Sequence, residues 1–141
     1  PLIIYHPNKI KNNSIVDTPI SFIDIYPTLI DMCGLPSKKD NIDGKSFFKL
    51  LKNPTQSWDK PVLMTFGEGN HAVRTIRWRY IQYYDGTNEL YDHKNDPHEW
   101  INLSGKKKYI KIIEELKQHI PKKEKPQSIS HNNMASELIK R

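Results

Sequence analysis

Apolar and polar residues follow helical spacing in the first half of the chain. A cap at Asp24 and a stop at Gly34 predict a helix between them. A second, short helix is predicted over 46–52, closed by Asn53-Pro54. The opening apolar run 2–5, bounded by turn residues, predicts a buried strand instead. The first helix would bury one apolar face, formed by Ile25, Tyr26, Leu29, Ile30 and Cys33.

The second half is rich in β-branched and aromatic residues interrupted by turn formers. Turn formers at 67–69, a tight turn near Ile76 and Asp85-Gly86 separate four predicted strands, an antiparallel meander over 62–66, 71–75, 78–84 and 89–91. A last helix is predicted from Ser104 to Pro121. Its apolar stripe, expected to lie on the sheet, consists of Tyr109, Ile113, Leu116 and Ile120. The aromatic residues expected in the sheet–helix core are Trp78, Tyr80, Tyr83, Tyr84 and Trp100.

Composition changes this picture in two ways. Only 36% of the 141 residues are hydrophobic and 27% are charged, which favours a thin core completed by a partner domain. The formal charge of +6 could attract nucleic acid, but the lysines lie mostly in loops and near the C-terminus without a base-reading motif. Neither a nucleic-acid partner nor a membrane span is expected, because no apolar run reaches about 18 residues. The polar, aperiodic stretch 122–141 predicts an extended tail.

Several phrases, taken in order, resemble the sulfatase family. They are most similar to its iduronate-2-sulfatase-like and choline-sulfatase-like bacterial members. The most recognisable pair is Pro27-Thr28-Leu29 followed by Gly34-Leu35-Pro36. In the second half, the stretches that resemble the strands and closing loop of the family's C-terminal subdomain are 72–75, 78–81, 89–92 and 96–103. The opening of the sequence inside a predicted strand, without an initiator methionine, favours a piece of a longer protein.

The resemblance implies the end of an alkaline-phosphatase-like α/β fold, which within this stretch would be α+β. Residues 1–60 would end the N-terminal α/β subdomain, 61–121 would form the C-terminal sheet and helix, and 122–141 the tail. The implied activity is hydrolysis of sulfate esters of a carbohydrate or small molecule, in the periplasm or outside the cell. The implied partner is the missing N-terminal subdomain. Two alternatives stay open: a non-catalytic interaction module, and a piece of a related phosphodiesterase or phosphonate hydrolase.

The catalytic groups that the resemblance implies have no counterpart in this sequence. Family chemistry uses a formylglycine made within Cys-x-Pro-x-Arg, whereas Cys33 is followed by Gly34-Leu35-Pro36-Ser37. Cys33 is therefore interpreted as a small packed residue. Calcium and formylglycine are expected in the missing N-terminal part, and neither a catalytic residue nor a metal ligand is expected here. The chain by itself is predicted to be inactive.

The best candidate for substrate contact is the glycine-rich segment 67–74. Asn70 and His71 could give directional hydrogen bonds to a sugar, and Arg74 could bind an anion through two parallel hydrogen bonds. The competing interpretation is a hairpin with a solvated histidine, and with Arg74 in an ion pair across the subdomain seam. A metal site at His93, Asp96 and His98 is disfavoured, because Asn95-Asp96-Pro97 is a turn former that can anchor a loop.

Overall fold

The computed structural model describes residues 2–36 and 42–124. The chain divides into two compact units, the first ending at Val62 and the second beginning at Leu63. The predicted tail lies outside the described residues beyond Glu124, as do residues 37–41. None of the helices in the described ranges has the length and apolar character needed to cross a membrane.

The first unit contains two helices, α1 over Ile25–Cys33 and α2 over Phe48–Lys52. A single 3-10 turn, Phe22–Asp24, leads into α1. Gly34 ends α1 in the left-handed region at φ 67°, as predicted, because a residue without a Cβ adopts this conformation at little cost. The short second helix is also confirmed, beginning two residues later than predicted.

A hydroxyl joins the two helices of the first unit. The side chain of Thr28 is buried, and its Oγ1 donates to the Asp24 carbonyl at 2.6 Å while accepting the Phe47 amide at 3.0 Å. The residues buried around it are Ile30, Met32, Phe47 and Leu50. The predicted apolar face of α1 is therefore only partly correct. Tyr26, Leu29 and Cys33 are exposed, because α1 turns Thr28 and Met32 inward instead.

Two further predictions for the first unit are wrong. Residues 2–5 form no strand, and Ile3 and Tyr5 are 91% and 78% exposed, because no described segment offers them a hydrogen-bonded ladder. Asp24 occupies the position before α1, but its carboxylate does not cap the helix. Instead it accepts hydrogen bonds from the Ser21 amide, the Lys45 amide and Lys60 Nζ at 3.0, 2.8 and 2.6 Å.

The second unit is built on a sheet of four strands in the order β1-β2-β3-β4. The strands are β1 Val62–Thr65, β2 His71–Arg74, β3 Trp78–Gln82 and β4 Asn88–Asp92, in agreement with the predicted meander. Register pairs Val73 with Tyr80 and Tyr80 with Leu90, and all three side chains are fully buried. This row runs across three strands and forms the centre of the core.

A terminal helix covers that row. The helix α3, Ile110–Lys117, follows a 3-10 turn over Lys107–Tyr109, and Leu116 reaches the buried cluster together with Leu103. The predicted stripe is confirmed, since Tyr109, Ile113 and Ile120 all pack against the cluster. The predicted start at Ser104 is too early. The Ser104 hydroxyl donates to the Asn88 carbonyl at 2.9 Å, which keeps this residue in a turn beside β4.

The aromatic prediction is correct for only part of the set. Tyr80 is fully buried and Trp78 packs on the cluster, edge to face with Tyr109 at 5.7 Å between ring centroids. Tyr84 and Trp100 are 80% and 82% exposed. Tyr84 lies in a turn and Trp100 in an irregular segment, where strand alternation no longer directs a side chain inward.

Candidate functional site

The glycine-rich segment 67–70 connects β1 to β2 in a tight loop. Gly69 has φ +73°, and a Cβ at this position would lie 2.9 Å from the Cα of Tyr84. A side chain is therefore excluded on two grounds, backbone conformation and space. The amide of Gly69 donates to both carboxylate oxygens of Glu124, at 3.1 and 2.9 Å. A residue 55 positions further along the chain thus holds the tip of the loop.

His71 begins β2 and is 2% exposed. Its Nδ1 lies 3.0 Å from Thr65 Oγ1 and its Nε2 lies 2.9 Å from Glu124 Oε1. Because the carboxylate can only accept, Nε2 carries the hydrogen and a neutral ring accepts the threonine hydroxyl at Nδ1. The hydrogen bond from His71, followed by that from the Gly69 amide, lowers the pKa of Glu124. Both ring nitrogens are occupied, so the expectation of a solvated histidine is wrong.

Asn70 stabilises the loop through hydrogen bonds within the hairpin. Its Nδ2 donates to the Glu68 carbonyl at 3.0 Å, and its Oδ1 accepts the Tyr84 amide at 3.3 Å. Its own carbonyl accepts the Phe66 amide at 3.0 Å. Each hydrogen-bonding group of the Asn70 amide therefore has a partner within the hairpin, and the residue supports the shape of the loop.

Arg74 lies on the opposite face of the sheet from His71. Strand alternation places residues 71 and 73 on the core face, and the burial pattern of β2 agrees. Arg74 Nη2 donates to His93 Nδ1 at 2.9 Å. This partner lies in the same unit as Arg74. The alternative of an ion pair across the subdomain seam stays a prediction. The structure therefore joins Asn70 and His71 but separates both from Arg74.

A charged cluster surrounds Arg74 that the sequence did not reveal. Arg74 faces Arg79 across the strands, and Arg79 Nη1 pairs with Glu99 Oε2 at 2.7 Å. His93 Nε2 donates to the other oxygen of Glu99 at 2.5 Å. Desolvation and the nearby Arg79 lower the pKa of Arg74, while Glu99 raises it. Two guanidinium nitrogens, Arg74 Nη1 and Arg79 Nε, are buried and find no hydrogen-bond partner among residues 2–36 and 42–124. The signal that could have revealed the Arg74–Arg79 pair is the short turn of three residues between β2 and β3, which sets the register.

The loop after β4 is anchored by carboxylates, as the turn formers indicated. Asp92 accepts two hydrogen bonds from Arg77, at 2.9 and 2.8 Å, and this pairing lowers its pKa to about 2. Asp96 accepts the Ile101 amide at 2.8 Å. His98 is stacked on Trp100 with ring centroids 5.1 Å apart. Hydrogen bonding and stacking therefore account for the side chains first considered as metal ligands.

Within the described ranges, no group of three or more histidine, cysteine, aspartate or glutamate side chains could hold a metal ion. Cys33 is exposed at the end of α1, so its interpretation as a packed residue is wrong. Its neighbours still differ from the formylglycine context. Among the described residues, the side chains do not fit either calcium or the modified cysteine.

Comparison with known proteins identifies the family. The model of the N-sulphoglucosamine sulphohydrolase C-terminal family matches residues 1–126. The chain belongs to this sulfatase family. A sulfatase from Formosa agariphila is 40% identical over 86% of this chain, and an N-acetylglucosamine-6-O-sulfatase from Bacteroides thetaiotaomicron is 30% identical over 89%. The chain spans only about a quarter of their length, 24% and 25%.

Solved structures agree with this assignment of the sulfatase C-terminal region. A protein solved in complex with its substrate, D-glucosamine-2-N,6-O-disulfate, is similar with a TM-score of 0.57 and 30% identity. The similarity covers 67% of this chain and 22% of that protein. The four-stranded sheet and its helices therefore match the C-terminal part of sulfatase structures.

Proposed function

We propose that this sulfatase region completes an enzyme that hydrolyses sulfate esters of a carbohydrate or another small sulfate ester. The observation that carries the proposal is the family match over residues 1–126, which spans both compact units. The relatives named for N-acetylglucosamine-6-O-sulfate hydrolysis and for a disulfated glucosamine substrate support a sulfated sugar. The region itself would contribute stability and one wall of the substrate pocket.

The first unit has exposed apolar surface, which favours a partner that covers it. Ile3, Phe22 and Ile15 are 91%, 89% and 84% exposed. A groove of about 1020 Å³ in this unit is lined largely by the irregular segments 2–5 and 10–16. Exposed apolar surface of this kind marks an interaction site. We infer that the N-terminal sulfatase subdomain fills it, and that this subdomain supplies calcium and formylglycine, in the periplasm or outside the cell.

The second unit would provide the wall of the pocket through the loop 67–70. Asn70 and His71 are proposed to act by holding this loop, since their polar atoms are already bonded within the unit. Arg74 is proposed to act from the other face, through the cluster with His93 and Glu99. Phe66 and Tyr84, both 80% exposed, flank the loop and are suited to contact a sugar ring.

A domain replacement tests this proposal. The present chain would replace the matched C-terminal quarter of the Bacteroides thetaiotaomicron N-acetylglucosamine-6-O-sulfatase, and sulfate release from N-acetylglucosamine 6-sulfate would be measured. We expect the hybrid to release sulfate and the same enzyme without any C-terminal region to be inactive. A hybrid with a native-like near-UV circular dichroism spectrum that releases no sulfate would contradict the proposal.

A further inference from the structure

The terminal helix begins in a concentrated patch of positive charge. Lys106, Lys107, Lys108 and Lys111 lie within six residues, and all four are exposed. The ion pairs found among the described residues involve other cations. Glu114 and Glu115 follow Lys111 at helical spacing, yet neither pairs with it in this part of the structure. The charge of these lysines is therefore directed to solvent.

This arrangement works against the stability of the helix. Lys107 and Lys111 are four residues apart and Lys108 and Lys111 are three apart, spacings at which like charges repel on a helix surface. The peptide dipoles at this end of the helix add to the same positive potential. An anion that bound here would relieve the repulsion between the lysines. Solubility alone does not require such a cluster, since alternating positive and negative side chains would serve equally well.

A chain of aromatic contacts links the lysines to a further cation. The Arg77 guanidinium lies over the Trp78 ring at 4.6 Å, and Lys108 Nζ lies over the Tyr109 ring at 4.8 Å. The two rings contact each other edge to face at 5.7 Å. Packing of Trp78 and Tyr109 on the core thus places Arg77 and Lys108 over neighbouring rings of the same unit. Both cations belong to the second unit.

We propose that this basic surface, defined as Lys106, Lys107, Lys108 and Lys111, binds a sulfated polysaccharide chain, with Arg77 at its border already paired with Asp92. The inference rests on the proposed function, because a sulfated sugar is the anion that a sulfatase meets. Sulfate half-esters keep their charge at all physiological pH values and complement several lysines in a row. Nucleic acid is less suited, since Trp78 and Tyr109 are half-buried and already engaged and so offer no ring face for base stacking.

Binding of a heparin oligosaccharide to the 141-residue chain tests the proposal, measured by isothermal titration calorimetry at several salt concentrations. We expect binding that weakens with salt, and loss of binding when the same oligosaccharide is desulfated. The variant K107Q/K108Q/K111Q should weaken affinity by about tenfold or more, and should lower the slope of log Kd against log salt by about two. These substitutions are exposed, and circular dichroism would check that the fold is unchanged.

The matched control is K49Q/K52Q/K117Q, which also removes three exposed helical lysines and should bind heparin as the parent chain does. Equal weakening in both variants would overturn the proposal in favour of general charge attraction. Duplex DNA bound as tightly as heparin, with the same loss in the first variant, would overturn it in favour of nucleic acid. Absence of heparin binding would also overturn it.

The proposed function fails separately. The binding measurement needs no turnover, whereas the domain replacement reports sulfate release. If the hybrid is active but the chain does not bind heparin, only the proposal of the basic surface is contradicted. If the chain binds heparin through these lysines but the hybrid is inactive, the proposed enzymatic role is contradicted and the proposed basic surface is supported.

Discussion

Each of the two units is stabilised internally by a different kind of interaction. In the second unit a row of apolar side chains, Val73, Tyr80 and Leu90, crosses three strands under a helix. In the first unit a buried carboxylate, Asp24, gathers donors from residues 21, 45 and 60 around two short helices. The first unit also leaves large apolar side chains such as Ile3 and Phe22 exposed.

This difference separates non-directional from directional stabilisation. Apolar burial depends on packing and is insensitive to pH. A buried carboxylate is stable only while its donors are in place, because an unpaired buried charge is costly. Burial raises the pKa of Asp24, but the hydrogen bonds from Lys60, Lys45 and Ser21 outweigh burial, and the net pKa is lowered. The stability of the first unit should therefore depend on charge and pH, and that of the second on side-chain volume.

The largest effect is expected from Leu90→Ala in the core row. The side chain is fully buried, so its truncation should lower the free energy of unfolding by about 2 to 5 kcal/mol through lost burial and a residual cavity. Urea unfolding followed by near-UV circular dichroism measures the change. The control Leu63→Ala, on β1 and 37% exposed, should cost much less. Equal losses in the two variants would contradict a core centred on the row.

The next effect is expected from Asp24→Asn in the first unit. Loss of the charge leaves Lys60 without its carboxylate and should cost about 2 to 4 kcal/mol. The stabilisation by Asp24 is present above its unfolded pKa of about 3.9 and is lost as pH falls through its lower folded pKa. Hydrogen exchange of α1 measured against pH reports both effects. Asp59→Asn removes an exposed partner of Lys45 and should leave this exchange unchanged.

A smaller effect is expected from a pair of glycine substitutions in the second unit. Gly86 has φ +85° with open space around it, so Gly86→Ala should cost about 1 kcal/mol from backbone strain. Gly69→Ala adds a contact with the backbone of Tyr84, at a further cost of about 1 to 3 kcal/mol. The difference in melting temperature between the variants measures the contact. Identical melting temperatures would show that the loop yields and does not form a rigid wall.

The smallest effect is expected from Arg77→Gln, which tests the charge pair between Arg77 and Asp92 in the second unit. Without the Arg77 hydrogen bonds, the pKa of Asp92 should rise from about 2 toward its ordinary value. Stability that the parent chain keeps until pH falls to about 2 would then be lost at higher pH. A carboxyl NMR titration measures the shift. Lys94→Gln is the control, since Asp92 bonds only the backbone amide of that residue.

The strands and turns of the second unit were predictable because the signals are local. Period-two alternation and turn formers such as Asp85-Gly86 are read from neighbouring residues, and the register follows from short turns. The helix start was less predictable, since Ser104 is a suitable cap but bonds β4 instead. The hairpin loop 67–70 was predictable from its glycines, but its contacts were not, because Glu124 reaches His71 from 53 residues away.

The sequence by itself determined the meander, the helix stripe that covers it and the resemblance to sulfatases, since each depends on residue type at short spacing. Only the tertiary structure decided which groups meet. Pleating placed His71 and Arg74 on opposite faces, and folding of the first unit brought Lys45 and Lys60 to Asp24. Hydrogen bonds form wherever the folded backbone brings a donor within about 3 Å of an acceptor, and sequence separation does not limit that distance.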